Sequence, residues 1–183
     1  AGAGVIGLAV GFGAQTLVKD IITGAFILFE NTISVGDVVE LGSHSGKVEK
    51  ITIRSIQLRD FSANVHTIPF SSVDTVTNKT KGYSYAVFEV GVSYGENTDQ
   101  VTEVLHQIGA EMQEDSDLSR QILEPLDVVG VDQFGDSAVV IKARLKTVPS
   151  KQWALGREFN RRMKIEFDKL GIEIPFPHTT LFF

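Results

Sequence analysis

The chain has 183 residues, 43% of them hydrophobic and 22% charged, which is enough for one or two small domains with apolar cores. Acidic residues outnumber Lys and Arg by 23 to 17, and this net charge of −6 argues against the basic face that sequence-independent nucleic-acid binding requires. The absence of cysteine excludes disulfides and thiolate metal sites.

The first eighteen residues carry no charge, and half of them are Gly or Ala. Glycine weakens a helix by up to about 1 kcal/mol per residue relative to alanine, so a helix of this composition needs a further reason to form. Two environments provide one. In a nucleotide-binding loop, glycine lets the backbone approach phosphate. In a membrane, small residues let helices pack closely.

The nucleotide hypothesis rests on Gly2, Gly4 and Gly7, which match the pattern G-x-G-x-x-G. Residues 25–29 would then form a buried strand, and Glu30 after it would hold a ribose hydroxyl. However, no strand precedes the motif, and the segment after Glu30 lacks alternating strand–helix units. A soluble dinucleotide-binding oxidoreductase is therefore the alternative hypothesis.

The membrane hypothesis places the same residues on a helix. Gly4, Gly7 and Gly11 then share one face, because they are three and four residues apart, while Ala9 and Gly13 form a second small face. A helix with two small faces can pack against identical neighbours on both sides, as a symmetric ring requires.

Leu8 and Phe12 are the large side chains that share a stripe of this helix, at i and i+4. In a ring of such helices they would face the axis and form two stacked apolar collars. A second interpretation is a buried Gly/Ala-rich helix of a soluble protein, with both side chains in its core.

After this segment, polar residues recur at helical spacing. They are Thr16, Lys19, Asp20 and Thr23. The pattern predicts an amphipathic helix that lies along the membrane interface after a bend. The alternative is a continuation of the first helix into water.

Residues 31–81 read as short strands that build a small barrel of five strands, with four of them located at 38–41, 47–53, 56–59 and 65–68. Residues 42–46 are predicted to be the first hairpin connection, and residues 60–64 a turn. His44 lies in that connection without an acidic neighbour in the sequence, so a catalytic role is not predicted.

Residues 82–177 predict a split α+β domain of β-α-β-β-α order. A strand at 85–94 precedes a helix that is capped near Asn97 and runs to residue 112. Strands at 127–133 and 138–147 follow, and a second helix runs from a Ser150 cap to Leu170, before Gly171. Its expected inner residues are Trp153, Phe159, Met163, Ile165 and Phe167, and its basic run, expected to be solvated, is Arg157, Arg161, Arg162 and Lys164.

The terminal residues 178–183 are predicted to be a strand, which follows Pro175 and Pro177 and has no partner nearby in the sequence. In a ring it could pair with its own copies and close a small barrel.

Several segments in order resemble the small-conductance mechanosensitive channel family, and they cover essentially the whole chain. They are residues 8–15 (Leu-Ala-Val-Gly-Phe-Gly-Ala-Gln), 35–41 (Val-Gly-Asp-Val-Val-Glu-Leu), 46–48, 68–69, 90–94 and 171–177 (Gly-Ile-Glu-Ile-Pro-Phe-Pro).

The resemblance implies a membrane protein with a pore-lining transmembrane helix and an interfacial half (residues 1–30), an Sm-like β-barrel domain (31–81), a ferredoxin-like α+β domain (82–177) and a terminal strand (178–183). It implies a homoheptamer that membrane tension opens, so that ions and small solutes leave on hypo-osmotic shock. The expected location is the bacterial inner membrane, multi-pass, with both domains in the cytoplasm and earlier helices preceding this sequence. The expected partners are membrane lipid, permeating ions and identical copies; no nucleic acid, cofactor, metal or enzymatic activity is expected.

Carried over by position, Leu8 and Phe12 are the constriction residues, although the family usually has an aliphatic residue at the second position. The residues expected at helix contacts are Gly4, Gly7, Ala9, Gly11 and Gly13. A bend or hinge is expected at Gln15, Thr16 and Gly24, where Thr16 stands in place of a glycine that is common in the family.

Overall fold

The chain folds as two units, which meet in the sequence between Lys81 and Gly82. A computed structural model describes the backbone of residues 2–177, and the side chains of that range except those of residues 2, 3, 5 and 6. The strand predicted at residues 178–183 lies outside the described residues.

The first unit begins with a single long helix, α1 (Gly2–Phe29). Its backbone is helical through Gln15, Thr16 and Gly24, so the polar second half continues the glycine-rich first half without interruption. A bend at these positions therefore stays a prediction.

The dinucleotide-binding alternative does not fit this helix. Its glycines at positions 2, 4 and 7 lie within α1, and residues 25–29, which that hypothesis needs as a strand, are helical. A phosphate-binding loop must connect a strand to a helix N-terminus. Residues 2–37, the first that the structure describes, contain no strand.

Five short strands follow α1 and form one antiparallel sheet in the order β4-β3-β2-β1-β5. They are β1 (Val38–Leu41), β2 (His44–Ile51), β3 (Ser55–Arg59), β4 (Val65–Pro69) and β5 (Val76–Asn78), and a short 3-10 turn, Phe70–Ser72, follows β4.

Several details of this sheet differ from the sequence prediction, and the strand predicted at 47–53 is β2, which ends at Ile51. The β1–β2 connection is shorter than residues 42–46, since Leu41 already pairs with His44, and Gly42 adopts the left-handed φ of 59° that tight hairpin turns favour. The fifth strand had not been located, because three residues are too few to show an alternating pattern.

One apolar core fills the β unit, the part of the first unit that follows α1 and contains β1 to β5. Alternate residues of the strands point inward, as in β3, where Ile56 and Leu58 are fully buried. Residues from α1 and from the segment after it join this core, which consists of Ile27, Ile33, Val39, Leu41, Val48, Ile56, Leu58, Ile68 and Phe70.

The second unit has the predicted β-α-β-β-α order. Its elements are β6 (Ser84–Val92), α2 (Thr98–Glu114), β7 (Asp127–Phe134), β8 (Val139–Thr147) and α3 (Gln152–Leu170), and the sheet order is β6-β8-β7. The predicted cap of α2 is confirmed, since the side chain of Asn97 accepts hydrogen bonds from the backbone N–H groups of Asp99 and Gln100.

The predicted start and inner face of α3 are partly wrong. Ser150 has a positive φ of 68° and does not cap the helix, which begins after Lys151 without a side-chain cap. Trp153 and Ile165 are exposed, because the buried stripe runs instead through Gln152, Leu155, Phe159 and Phe167. Gly171 ends the helix with a left-handed φ of 70°, as predicted.

Most of the basic run on α3 is neutralised by neighbouring carboxylates. Glu158 pairs with Arg161 and Arg162, and Arg162 also donates to Asp115 at 2.6 Å. Hydrogen bonds lower the pKa of Glu158 to about 2, and the bond from Arg161 has a larger effect than the bond from Arg162. The run is thus a surface face, as predicted, and the pairing of most of its charges is an addition from the structure.

A close contact between α2 and the segment before β7 yields a first test of this fold. A Cβ at Gly109 would lie 2.6 Å from the Cβ of Leu126, so Gly109→Ala should lower the free energy of unfolding by about 1–3 kcal/mol. Denaturant unfolding, followed by the fluorescence of the single tryptophan, Trp153, measures this loss. Gly95→Ala is the control, because no atom lies within 4 Å of its added Cβ. Equal losses in the two variants would contradict the contact.

Candidate functional site

The N-terminal half of α1 presents a bare apolar surface. Leu8 is 65% exposed and Phe12 is 74% exposed, although both are large and apolar. A Cβ added at any of four glycines of this half would meet no atom within 4 Å: Gly4, Gly7, Gly11 and Gly13. Within the described residues, α1 is therefore not packed as the buried core helix of a soluble protein.

An open groove of about 440 Å³ runs along this surface, and its lining is Gly7, Leu8, Gly11, Phe12, Gln15 and Val18. The glycines lack side chains and so leave the depression, while the larger residues form its sides. Such a shape suits close approach of a second helix, which is how small residues act in membrane helices.

The helix is long and apolar enough to cross a membrane. The candidate span is Gly7–Phe29, with 23 residues and a mean hydropathy of 1.3, and 17% of its most apolar window is buried within the protein. At 1.5 Å per residue this span is about 34 Å long, compared with about 30 Å for the hydrocarbon layer. It includes Lys19 and Asp20, whose charges need partners in such a setting.

Both charges find those partners on the β unit. The carboxylate of Asp20 is buried and accepts a hydrogen bond from the backbone N–H of Ser71, and Lys19 Nζ donates to the backbone oxygen of Ser71 at 2.9 Å. The 3-10 turn after β4 is thus held between two adjacent side chains of α1. Sequence reasoning had treated these residues only as a polar helix face, because their partner lies about fifty positions away.

Gly24 lies at a close contact between α1 and the β unit. A Cβ here would overlap the backbone oxygen of Ile53 and lie 2.7 Å from the ring of Phe70. The structure therefore shows a packing reason for glycine at this position. The hinge role predicted for Gly24 stays a prediction.

The end of α1 is also tied to the β unit. Lys81 Nζ donates to the backbone oxygen of Asn31 at 2.7 Å, and the Asn78 side chain donates to the backbone oxygen of Thr32 at 3.3 Å. Together with Asp20 and Gly24, these contacts hold the C-terminal half of α1 while its N-terminal half stays bare.

A helix long and apolar enough to cross a membrane, followed by folded β and α+β units, fits the general class of membrane proteins with additional folded domains. Two family models identify it further: "Mechanosensitive ion channel, beta-domain" matches residues 16–81, and "Mechanosensitive ion channel MscS, C-terminal" matches residues 86–174. The chain belongs to the small-conductance mechanosensitive channel (MscS) family.

Sequence relatives agree with this assignment, and a solved structure has the same fold. A small-conductance mechanosensitive channel of Caldanaerobacter subterraneus subsp. tengcongensis is 40% identical over 98% of this chain and 62% of its own length. The moderate conductance mechanosensitive channel YbiO of Escherichia coli is 37% identical over 96% of this chain and 24% of its own length. The closed-state crystal structure of Helicobacter pylori MscS has the same fold, with a TM-score of 0.80 and 21% identity over 99% of this chain and 71% of that one. The chain thus spans less than two thirds of these two sequence relatives.

The close contact at Gly24 yields a test of how α1 is held. Gly24→Ala should displace α1 from the β unit, because neither the Ile53 backbone nor the buried Phe70 ring can move away easily. Amide hydrogen exchange in residues 70–72 should rise at least about tenfold, corresponding to a local loss of about 1.4 kcal/mol. Thr23→Ala is the matched control, since it removes atoms from the neighbouring position. Unchanged exchange in Gly24→Ala would show that this contact does not hold the helix.

Proposed function

We propose that the protein is the subunit of a mechanosensitive channel, which opens under membrane tension and releases ions and small solutes on hypo-osmotic shock. The observation that carries this proposal is the α1 surface, where exposed Leu8 and Phe12 lie beside a glycine-lined groove. In a chain of the MscS family, such a surface on a membrane-length helix is suited to line a pore.

The groove supports assembly from identical copies, and we propose a heptamer. A groove on a single helix leaves apolar surface uncovered, and a neighbouring copy can cover it. Gly4, Gly7 and Gly11 would contact one neighbour, while Ala9 and Gly13 would contact the other. Each helix of a closed ring needs two such faces.

Leu8 and Phe12 then form two apolar collars around the axis. A narrow apolar constriction excludes water and ions without being blocked by atoms, because its walls offer no hydrogen bonds. Tension favours the state with the larger area in the membrane plane, so the helices slide along their small faces until the collars widen and fill with water. This mechanism uses no covalent chemistry.

The proposed location is the cell membrane, as a multi-pass protein with its β and α+β domains in the cytoplasm and lipid and permeating ions as partners. A bend near Gln15 and Thr16 would turn the amphipathic half of α1 along the membrane interface, where Phe26 and Phe29 are exposed to meet lipid or neighbouring copies. Residues 178–183 are proposed to pair between copies as a closing barrel.

The collar assignment predicts that polar substitutions open the channel more easily. Leu8→Ser or Phe12→Ser should let water enter the closed pore and lower the opening tension, because the hydroxyl stabilises water in the constriction. Single-channel recordings from membrane patches under graded suction measure this threshold. Patches without tension-activated currents in the unsubstituted protein would overturn the proposed function, and unchanged thresholds in both variants would overturn the collar assignment.

The packing assignment predicts different effects of leucine at two neighbouring positions. Gly11→Leu should disrupt assembly or gating, because its side chain would fill the groove where a second helix is proposed to lie. Val10→Leu is the control, since it adds one methylene group at an exposed position that does not line the groove. Oligomer mass in mild detergent and opening tension are the measurements. Equally mild effects would mean that Gly11 is not at a helix contact.

A further inference from the structure

Two histidines meet at one end of the β unit. The ring centroids of His44 and His66 are 4.7 Å apart, and the ring planes are tilted by 33°. His44 begins β2 and His66 lies in β4, with β3 between these strands in the sheet. The contact therefore connects the β1–β2 hairpin to the edge strand β4 across their neighbour.

Asp60, in the turn between β3 and β4, holds one of the two rings. Its Oδ2 lies 2.9 Å from His66 Nε2, and the carboxylate also accepts hydrogen bonds from Ser62 and Asn64. These bonds, with that of His66 the largest, keep the pKa of Asp60 well below its ordinary value. The carboxylate is thus ionised throughout the range in which imidazole ordinarily changes its charge.

Two other cations of this sheet region are each paired with a carboxylate. Arg59 on β3 bonds to Glu49 on β2, and Lys79, just after β5, pairs with Glu40 on β1. Lys79 Nζ also lies 3.4 Å from the hydroxyl of Ser45, the residue after His44. Among the described residues, Asp60 is the carboxylate that contacts the histidine pair, and it contacts one ring only.

We propose that His44 and His66 form a proton-sensitive latch of the β unit. When both imidazoles are protonated, two positive rings lie against each other, and their repulsion opens the latch. Acidification towards pH 5.5 thereby releases the β1–β2 hairpin from β4.

The latch has a direct route to α1. Strand β4 carries His66 and continues into the 3-10 turn, where Phe70 contacts Gly24 and Ser71 bonds to Asp20. Movement of β4 therefore acts on the segment that holds α1. If the protein is a tension-gated channel, as proposed above, this movement makes the opening tension depend on the pH of the solution around the β unit.

Hydrogen exchange of the full-length protein in detergent tests the latch without requiring channel activity. The ratio of exchange rates in residues 65–72 between His44→Gln and the unsubstituted protein is measured at pH 7.5 and again at pH 5.5. Comparison at one pH cancels the intrinsic pH dependence of exchange. At pH 7.5 the variant should exchange faster because the ring contact is gone. At pH 5.5 this ratio should fall at least about threefold, since the unsubstituted protein has lost the contact as well.

The contribution of Asp60 to stability changes at a lower pH than those used to test the latch, so the two effects can be distinguished. Because its folded-state pKa is lowered, Asp60 stabilises the fold above about pH 4, and that stability is lost only below this value. The ratio for His66→Gln should also fall between pH 7.5 and pH 5.5, whereas His106→Gln, at an exposed residue of α2, should exchange as the unsubstituted protein does at both pH values. A ratio that is equal at both pH values in the His44 and His66 variants overturns the latch.

Patch recordings test the route from β4 to α1. The solution that bathes the β unit is set to pH 7.5 or to pH 5.5. The opening tension of the unsubstituted channel should shift between pH 7.5 and pH 5.5, and His44→Gln should remove the shift. If no current answers to tension at either pH, the proposed function fails while the exchange measurement still decides the latch. If the exchange ratio changes with pH and the threshold does not, the route from β4 to α1 is overturned.

Discussion

The close contact between α1 and the β unit is the constraint on which the first half of the protein depends. At Gly24 the helix approaches the Ile53 backbone and the Phe70 ring too closely for any side chain. One helical turn earlier, Asp20 binds the backbone of Ser71. A buried carboxylate is tolerated in this apolar helix because it is paired with a backbone donor that would otherwise lack a partner.

This contact divides α1 into two mechanically different halves. The C-terminal half is held through Ile27, Gly24 and Asp20, whereas the N-terminal half has large apolar side chains and no packing partner within the described protomer. In a channel, such a division lets the bare half rearrange among copies while the held half transmits the change to the β unit. Rigid, packed elements convert small shifts in this way because they switch between discrete arrangements.

The glycines of α1 illustrate how one pattern supports different chemistries until its surroundings are known. Gly2, Gly4 and Gly7 match a dinucleotide motif, yet they lie inside a helix that no strand precedes in the described residues. Exposure and family separate the remaining interpretations, because a soluble core would bury Leu8 and Phe12, which the described residues leave exposed in a chain of a channel family.

The sequence by itself determines the order of elements and the local signals, such as the Asn97 cap and the Gly171 helix end, because the interacting groups lie within a few residues of each other. It also determines the family, through short segments spread along the whole chain. Only the tertiary structure decided that Asp20 binds the Ser71 backbone and that His44, without an acid nearby in the sequence, meets a histidine held by Asp60. Such contacts join distant residues, and no local spacing encodes which distant groups the packed chain brings together.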